Sequence, residues 1–457
     1  MQSVIEMTIG ARVLFAGKFG IDLNFSPNKI SVPENHFQSE NGVRPSASLR
    51  TCVQTQTPPS RPTQAVILAG GRGERMRPWT DLRPKPMIEI AGKPFLEHLI
   101  VMLREQGFTR VLLLLGYLPD TVKDYFGDGS RWNMQIEYSV TDVDDLTGQR
   151  LRLASDKVDD CFLLLYCDNY WPMQMDRMWA RFLAAKVPAI LTVYSNKDDY
   201  TKDTLKVDAA GFVTHYDKKR QTPGLKGTEI SYAILRKELI GRLPDGNVSF
   251  EETLFPRLAE QRQLAAYVTD HRYYSIGGLA RLPLTEIFFS RRPTIILDRD
   301  GVLNEKAPRA EYVRNWSEFK WRPGAKESLR RLNEAGFRVI IVSNQAGVAR
   351  GAMTEAALKD IHLYMVRDAE QSGGRVDAIY YCPHNWDDGC ECRKPKPGML
   401  FQAQRDFSLN LSRTMFVGDD ERDAQAADAA GCMAALVSES KSLLQIVTEV
   451  IANFNKT

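Results

Sequence analysis

The sequence predicts two α/β domains built around mainly parallel sheets. Short apolar runs that end in glycines or acids carry this prediction, the clearest being Gln64–Ala69 before a glycine-rich loop and Thr294–Leu297 before two aspartates. Runs of this length, bounded by turn-forming residues, are typical of buried strands. At 457 residues, the chain is long enough for about two or three domains of ordinary size.

Composition narrows the class of partner. The formal net charge is only +3, which favours neither nucleic acid nor an anionic membrane as a partner. No apolar run approaches the roughly 18 residues of a membrane helix, and the first residues lack the pattern of a secretory signal. Three of the seven cysteines cluster around His384, which indicates metal binding in a reducing compartment. We therefore expect a cytoplasmic protein with small-molecule partners, whose oligomeric state the sequence leaves open.

The chain divides into an extension and two domains. Residues 1–61 end in a stretch rich in Ser, Thr, Gln and Pro, which is typical of a linker, and we expect this extension to be partly disordered. The first domain is predicted over 62–290 and the second over 291–457.

The first domain opens on a glycine-rich loop. Gly70, Gly71 and Gly73 follow the first strand directly, and such glycines let backbone amides approach a phosphate. Positive charge surrounds them, from Arg72, Arg75, Arg77, Arg83 and Lys85. The loop lacks the third glycine of a dinucleotide-binding turn and the Gly-Lys-Ser/Thr of a P-loop, so both alternatives are disfavoured.

The complete string G-G-R-G-E-R-M-R-P-W-T-D-L-R-P-K-P at 70–86 resembles the signature of sugar-1-phosphate nucleotidyltransferases, and the resemblance continues over about 64–290. It implies a Rossmann-like mixed sheet and in-line attack by a sugar 1-phosphate on the α-phosphorus of a nucleoside triphosphate. By the same resemblance, Arg75 and Lys85 act on the phosphates, Asp168 holds Mg²⁺ and Lys218 contacts the sugar phosphate. GTP is the nucleotide that the resemblance favours.

Three positions depart from that family's pattern. Cys167 stands where glycine is usual, Ser275 stands where a second metal-binding aspartate is expected, and L-T-G-Q-R-L at 146–151 replaces a Gly-Gly-Ala stretch. Losing a carboxylate weakens a Mg²⁺ site, because that ion is held through few protein oxygens. Two alternatives stay open, an active transferase and a nucleotide- or sugar-binding module without catalysis.

The second domain places chemistry at the ends of three strands. Asp298 and Asp300, two residues apart at the end of a strand, can face one site. A helix over 322–336 and a strand over 337–342 then lead to Ser343 and Asn344, and a further strand ends at Asp419. Paired acids beside a metal suit nucleophilic and acid–base chemistry on a phosphate. The alternative is a solvent-exposed turn in which the two aspartates have no catalytic role.

A metal-binding loop follows. Cys382, His384, Cys390 and Cys392 supply three thiolates and one imidazole, which make a closed tetrahedral set for structural Zn²⁺. Arg393 and Lys394 come directly after the last ligand, so the metal would also fix two residues suited to grip phosphate. The alternative is a reduced cluster without metal.

The motifs D-R-D-G-V-L-N, V-S-N-Q, C-x-H…C-x-C-R-K-P and V-G-D-x-x-x-D together resemble one branch of the haloacid dehalogenase phosphatases over about 293–437. Heptose 1,7-bisphosphate 7-phosphatases and histidinol phosphatases share this signature. The resemblance implies a Rossmannoid parallel sheet with a zinc-binding loop. The roles it implies are an Asp298 nucleophile, an Asp300 acid and base, phosphoryl binding by Ser343 and Lys394, substrate contacts from Asn344 and Arg393, and Mg²⁺ at Asp298, Asp300 and Asp419. Asp420, where lysine is usual, and a short loop before Cys390 depart from the pattern.

Together the two halves predict a bifunctional enzyme. Removing the 7-phosphate of a heptose 1,7-bisphosphate yields a heptose 1-phosphate, which is the class of substrate that the first half would activate. The alternative is a histidinol-type or other sugar phosphatase that carries a non-catalytic nucleotide- or sugar-binding domain.

Overall fold

A computed structural model describes residues 60–290, 292–308 and 310–454. The predicted extension 1–61 lies almost wholly outside the described residues. The predicted α/β class is confirmed, since the two largest sheets of the described residues are one mixed and one parallel sheet. In the part described, no helix is both long and apolar enough to cross a membrane.

The first sheet has seven strands in the order β12-β8-β11-β6-β1-β4-β5. Strands β1, β4, β5 and β6 run parallel, whereas β11 is antiparallel to both of its neighbours. Three two-stranded sheets, β2–β3, β7–β13 and β9–β10, accompany it. The strands of this domain are β1 Gln64–Ala69, β2 Glu89–Ile90, β3 Lys93–Pro94, β4 Arg110–Leu115, β5 Gln135–Val140, β6 Cys161–Tyr166, β7 Asn169–Tyr170, β8 Ala189–Tyr194, β9 Leu205–Val207, β10 Val213–Tyr216, β11 Thr228–Arg236, β12 Leu264–Thr269 and β13 Tyr274–Ser275. The helices are α1 Phe95–Glu105, α2 Pro119–Phe126, α3 Thr147–Leu153, α4 Met175–Ala185, α5 Phe250–Glu260 and α6 Leu282–Phe289.

The second sheet has five parallel strands in the order β16-β15-β14-β17-β18. The strands are β14 Thr294–Leu297, β15 Arg338–Asn344, β16 Ala378–Cys382, β17 Met415–Gly418 and β18 Met433–Leu436. The helices are α7 Ala325–Glu334, α8 Glu355–Gln371, α9 Gly398–Phe407, α10 Glu421–Ala430 and α11 Leu443–Phe454.

Alternation along the central strand β14 explains the layers of the second domain. Ile295 and Leu297 pack with α7, α8 and α11 on one face, whereas Ile296 packs with α9 and α10 on the other. Successive side chains of a strand point to opposite faces, so a continuous apolar run requires cover on both. Helices therefore occupy both faces, and the carboxyl ends of the strands are left to form a site.

The first domain repeats this arrangement on β1. Ala65 and Ile67 belong to the core that contains α1 and α4, whereas Val66 and Leu68 belong to the core that contains α5. The glycine-rich loop leaves this strand at its carboxyl end, beside the ends of β4 and β6.

Candidate active sites

The second-domain site is built at the carboxyl ends of β14, β15 and β17. Asp298 follows β14 and is 7% exposed. The buried ammonium of Lys394 lies 2.9 Å from Asp298 Oδ1 and 2.7 Å from Asp423 Oδ1. Lys394 Nζ also donates to the carbonyl of Val342 at 3.1 Å. The lysine therefore bridges two carboxylates and holds a positive charge beside the predicted nucleophile.

Asn344 fixes the backbone of that lysine. Its side-chain oxygen accepts from the Lys394 amide and its side-chain nitrogen donates to the Lys394 carbonyl, both at 3.1 Å. The neighbouring Arg393 has a buried Nη1 without a hydrogen-bond partner in the described part of the chain. A buried donor left open beside this site suits an anionic ligand.

The Asp300 carboxylate accepts hydrogen bonds from three neighbouring side chains. It accepts from Arg299 at 2.9 Å, from Asn304 at 2.9 Å and from Gln345 at 2.6 Å. Burial opposes ionisation, but the Arg299 charge and these hydrogen bonds hold the pKa of Asp300 below its ordinary value. Gln345 also donates to Ser343 Oγ at 2.8 Å, so Ser343 and Asp300 share one amide.

The acidic cluster differs from the predicted one. Candidate ligand oxygens of Asp298, Asp419 and Asp423 lie within 4.8 Å of one another. Asp300 lies outside this cluster because its carboxylate accepts from Arg299, Asn304 and Gln345, so its Mg²⁺ role stays a prediction. Asp423 belongs to the cluster, although its Oδ1 pairs with Lys394 and its Oδ2 accepts from the Asp419 and Asp420 amides. Asp423 was present in the V-G-D-x-x-x-D pattern, but a residue at the first turn of a helix was not recognised as facing the strand ends.

These oxygens fit a divalent cation. Asp419 Oδ1 is buried without a hydrogen-bond partner among the described residues, although Lys306 donates to Asp419 Oδ2 at 2.8 Å. Burial raises the pKa of Asp298 to about 7, against the opposing charge of Lys394. Clustered carboxylates with an unpaired oxygen are the donor set that Mg²⁺ prefers.

The cysteine cluster is brought together as predicted. Cys382 Sγ lies 3.6 Å from both His384 Nδ1 and Cys390 Sγ, and Cys392 Sγ lies 3.2 Å from His384 Nδ1 and 3.5 Å from Cys390 Sγ. Sulfur ligands about 2.3 Å from Zn²⁺ in a tetrahedron are about 3.8 Å apart. The spacing fits one closed tetrahedral ion.

The first-domain site is a cavity of about 680 Å³ next to the glycine-rich loop. Its walls include all of the residues predicted for this half, namely Gly70, Gly71, Gly73, Arg75, Lys85, Asp168 and Lys218. Lys85 is ion-paired with Asp168, and Lys218 is ion-paired with Glu251. Burial opposes the negative charge of Asp168, but the Lys85 ammonium holds the pKa of Asp168 below its ordinary value.

Ser275 lies beside Asp168, as the motif alignment predicts. It pairs with Asn169 in the β13–β7 ladder, and its hydroxyl accepts from the Gly277 amide at 2.9 Å. Among the described residues, the clusters of three or more candidate metal ligands are in the second domain, and Asp168 belongs to neither. Lys85 is therefore the group that balances Asp168 here.

Glu251 is a further group at this cavity that the sequence analysis missed. It lines the cavity and pairs with Lys218, and loss of hydration raises the pKa of the neighbouring Glu229 to about 7. Neither glutamate has a spacing signal of its own.

Comparison with known proteins places both halves. Residues 64–204 match the nucleotidyl transferase family model, and residues 252–431 match the haloacid dehalogenase-like hydrolase model. The D-glycero-beta-D-manno-heptose-1,7-bisphosphate 7-phosphatase of Pseudomonas aeruginosa is 41% identical over 152 residues, which are 33% of this chain and 84% of that protein. The enzyme of the same name from Bordetella bronchiseptica is 46% identical over 143 residues, covering 31% of this chain and 79% of that protein.

The chain belongs to the heptose-1,7-bisphosphate 7-phosphatase family. Both predicted resemblances are confirmed, and this member of the phosphatase family is an enzyme that joins a nucleotidyl transferase half to a haloacid dehalogenase-like half.

Solved structures are similar to each half. The D,D-heptose 1,7-bisphosphate phosphatase from B. bronchiseptica, complexed with magnesium and phosphate, is 37% identical, with 35% of this chain and 99% of that chain covered and a TM-score of 0.33. HddC from Yersinia pseudotuberculosis, complexed with GMP-PN, is 25% identical, with 50% and 99% covered and a TM-score of 0.43.

Proposed function

We propose that the chain performs two steps of nucleotide-heptose synthesis, hydrolysis of the 7-phosphate of a heptose 1,7-bisphosphate and nucleotidyl transfer to the resulting heptose 1-phosphate. The main support for the hydrolysis is that Lys394 bridges Asp298 and Asp423, with the hydrogen-bonded Asp300 carboxylate nearby. The family relationship supports the heptose bisphosphate as substrate. The domain bounds 62–290 and 291–457 are part of this proposal.

The hydrolysis follows from the residues in place. A carboxylate oxygen of Asp298 attacks phosphorus, the bond from phosphorus to the sugar oxygen breaks, and that oxygen takes the proton of Asp300. This step requires Asp300 in its protonated form, which burial favours and which the Arg299 charge opposes. Water then attacks the aspartyl-phosphate and gives a proton to Asp300, so inorganic phosphate leaves and Asp298 is restored. Lys394, Ser343, Asn344 and Arg393 hold the phosphoryl group and the substrate. Asp298, Asp419 and Asp423 would hold a Mg²⁺ ion, which would neutralise charge on the phosphoryl oxygens.

The transfer needs no covalent intermediate. An oxygen of the sugar 1-phosphate attacks the α-phosphorus of a nucleoside triphosphate, and pyrophosphate leaves. Arg75, Lys85 and the amides of Gly70, Gly71 and Gly73 bind the phosphates, Asp168 carries the Mg²⁺ role, and Lys218 binds the sugar phosphate. GTP is the nucleotide we propose, on the sequence resemblance.

A structural zinc ion and a cytoplasmic location belong to the same proposal. Cys382, His384, Cys390 and Cys392 hold a structural Zn²⁺, which has no open position for substrate. Because the ligands must be thiolates, a reducing cytoplasm suits this site.

Phosphate release from each anomer of heptose 1,7-bisphosphate tests the first step. We expect rapid release from one anomer and at least a thousandfold loss in Asp298→Asn. Faster turnover of histidinol phosphate than of either anomer would replace the heptose assignment with that alternative.

Pyrophosphate release with heptose 1-phosphate and each nucleoside triphosphate tests the second step, with Lys85→Met as the inactive control. The Lys85–Asp168 pair and Ser275 favour one second candidate, a non-catalytic nucleotide- or sugar-binding domain on a working phosphatase. Nucleotide binding without pyrophosphate release from any triphosphate would establish that candidate.

A further inference from the structure

Arg150 lies in the stretch that departs from the nucleotidyltransferase pattern. It belongs to α3, is 3% exposed and lines the first-domain cavity. A cation this deeply buried is costly unless its donors are satisfied. The contacts of Arg150 therefore indicate the structural role of residues 146–151.

Five oxygens accept from the Arg150 guanidinium. Nη1 donates to Leu115 O at 2.8 Å and Thr141 Oγ1 at 2.6 Å. Nη2 donates to Asp142 O at 2.8 Å, Val143 O at 3.0 Å and Gly70 O at 3.4 Å. Gly70, Leu115 and Thr141 mark the carboxyl ends of β1, β4 and β5. One side chain thus ties together three neighbouring strand ends and the start of the glycine-rich loop.

The glycines next to the guanidinium fit it closely. A Cβ on Gly70 would lie 2.3 Å from Arg150 Cζ, and a Cβ on Gly116 would lie 2.7 Å from Arg150 Nη1 and 2.6 Å from Gly70 O. These distances are shorter than van der Waals contact with any side-chain carbon. The guanidinium therefore packs against the backbone of both glycines, in space that side chains at those positions would fill.

Carbonyl and hydroxyl oxygens, rather than a carboxylate, satisfy the charge. No ion pair of Arg150 is found among the described residues, and Asp142 reaches the guanidinium through its backbone carbonyl. Burial opposes this charge, and the nearby Asp145 and Asp142 carboxylates favour it without forming an ion pair. Arg150 therefore adds buried positive charge to a cavity whose walls contain both basic and acidic side chains. The glycine-rich loop forms another wall of that cavity.

We propose that Arg150 is a positioning residue for the phosphate chain of a nucleoside triphosphate. It anchors Gly70 so that the loop amides converge on the phosphates, and it adds buried positive charge behind them. The inference rests on the proposed nucleotidyl transfer and gives the departure at 146–151 a role in it. Both terminal nitrogens of Arg150 already donate to these five oxygens. Arg150 therefore acts through the glycine-rich loop rather than by contacting the nucleotide.

The experiment compares Arg150→Ala, Arg150→Lys and a control, Arg152→Ala, in the full chain. Arg152 is on the same helix but donates to the Pro244 carbonyl and to Gln149, away from the loop. We measure kcat and KM for the triphosphate by pyrophosphate release, and affinity with a fluorescent nucleoside triphosphate. Phosphatase activity in each variant reports that the second half has folded, and thermal unfolding followed by circular dichroism reports on the first.

For Arg150→Ala we expect a tenfold or larger rise in both KM and the dissociation constant, with a smaller change in kcat. Millimolar guanidinium should recover at least part of the affinity in this variant and none in the control, because it can refill the vacated space. Arg150→Lys should fall between, since one ammonium cannot reach five acceptors. Amide hydrogen exchange over 70–76 should quicken in Arg150→Ala, with or without nucleotide.

Unchanged KM and unchanged loop exchange in Arg150→Ala would overturn the inference while leaving nucleotidyl transfer standing. A wild-type chain that binds nucleotide but releases no pyrophosphate removes the transfer step, yet the binding and exchange measurements still decide the role of Arg150. A wild-type chain that binds no triphosphate overturns both.

Discussion

Gln404, in α9 of the phosphatase sheet, donates a hydrogen bond of 2.9 Å to the hydroxyl of Tyr274 in the first domain. Both side chains are fully buried. The same Gln404 side chain accepts from the Arg272 amide at 3.3 Å. Tyr274 is in β13, which pairs with β7 immediately after Asp168. A helix of one half therefore supports the strand next to the site of the other.

Replacing Gln404 with leucine should destabilise the junction between the halves. Leucine has similar volume but leaves the Tyr274 hydroxyl and the Arg272 amide without their partner, which costs about 1–3 kcal/mol for a buried group. We expect the urea midpoint of the first domain to fall and nucleotidyl transfer to weaken, with phosphatase turnover less affected. Gln402→Leu is the control, because the half-exposed Gln402 bonds only within α9, donating to Asp406 and accepting from Arg405. Equal midpoints for the two variants would contradict the prediction.

His271 makes the same junction sensitive to acid. Its Nδ1 lies 2.7 Å from the Arg272 carbonyl, and its Nε2 accepts from the Leu411 amide at 3.4 Å. Burial lowers the pKa of His271 to about 4. Because the unfolded chain binds this proton near 6.5, stability is fully present above pH 6.5 and is lost as the pH falls towards 4. The full loss is about 3 kcal/mol.

The measurement is the free energy of unfolding of wild type and His271→Gln between pH 4 and 7.5. Glutamine can still accept from Leu411 but does not titrate, so its stability should depend less steeply on pH. His362, also buried with a lowered pKa, is present in both chains and cancels in the difference. His215→Gln, which changes an exposed histidine, should follow the wild-type curve, and parallel curves for all three chains would refute the assignment.

The fold and many residues of each site could be predicted from local sequence patterns, whereas contacts between residues far apart in sequence could not. Strand runs such as Thr294–Leu297 and the Gly70–Gly73 loop have patterns that depend only on near neighbours. Asp423 and Arg150 gave no such signal, since their partners lie 29 and 80 residues away in sequence. The commitment of Asp300 to Arg299 and Gln345 likewise depends on tertiary packing, which periodicity does not encode.

Removing one ligand of the cysteine cluster should release the metal and loosen the phosphatase site. In Cys390→Ser we expect loss of one zinc equivalent per chain, a lower melting temperature, and reduced phosphatase activity because Arg393 and Lys394 follow the last ligand. Metal content by elemental analysis and thermal unfolding are the measurements. Cys161→Ser in β6, outside the cluster, should keep its zinc. A zinc-free wild-type protein with the same melting temperature as Cys390→Ser would exclude the structural ion.

Restoring a carboxylate at position 275 should strengthen the first-domain metal site. A Cβ on Gly277 would lie 3.0 Å from Ser275 Oγ and 3.7 Å from Asp168 Oδ2, so both side chains lie next to Gly277, which lines the cavity. In Ser275→Asp, a second buried carboxylate beside Asp168 repels it until a divalent cation neutralises the pair. We expect the Mg²⁺ concentration for half-maximal pyrophosphate release to fall about tenfold or more, and Mg²⁺ to raise the melting temperature of this variant more than that of wild type. Ser275→Ala removes the hydroxyl without adding charge and should keep the wild-type Mg²⁺ dependence. Identical Mg²⁺ curves for the aspartate and alanine variants would show that Lys85, rather than a missing acid, sets the metal requirement at Asp168.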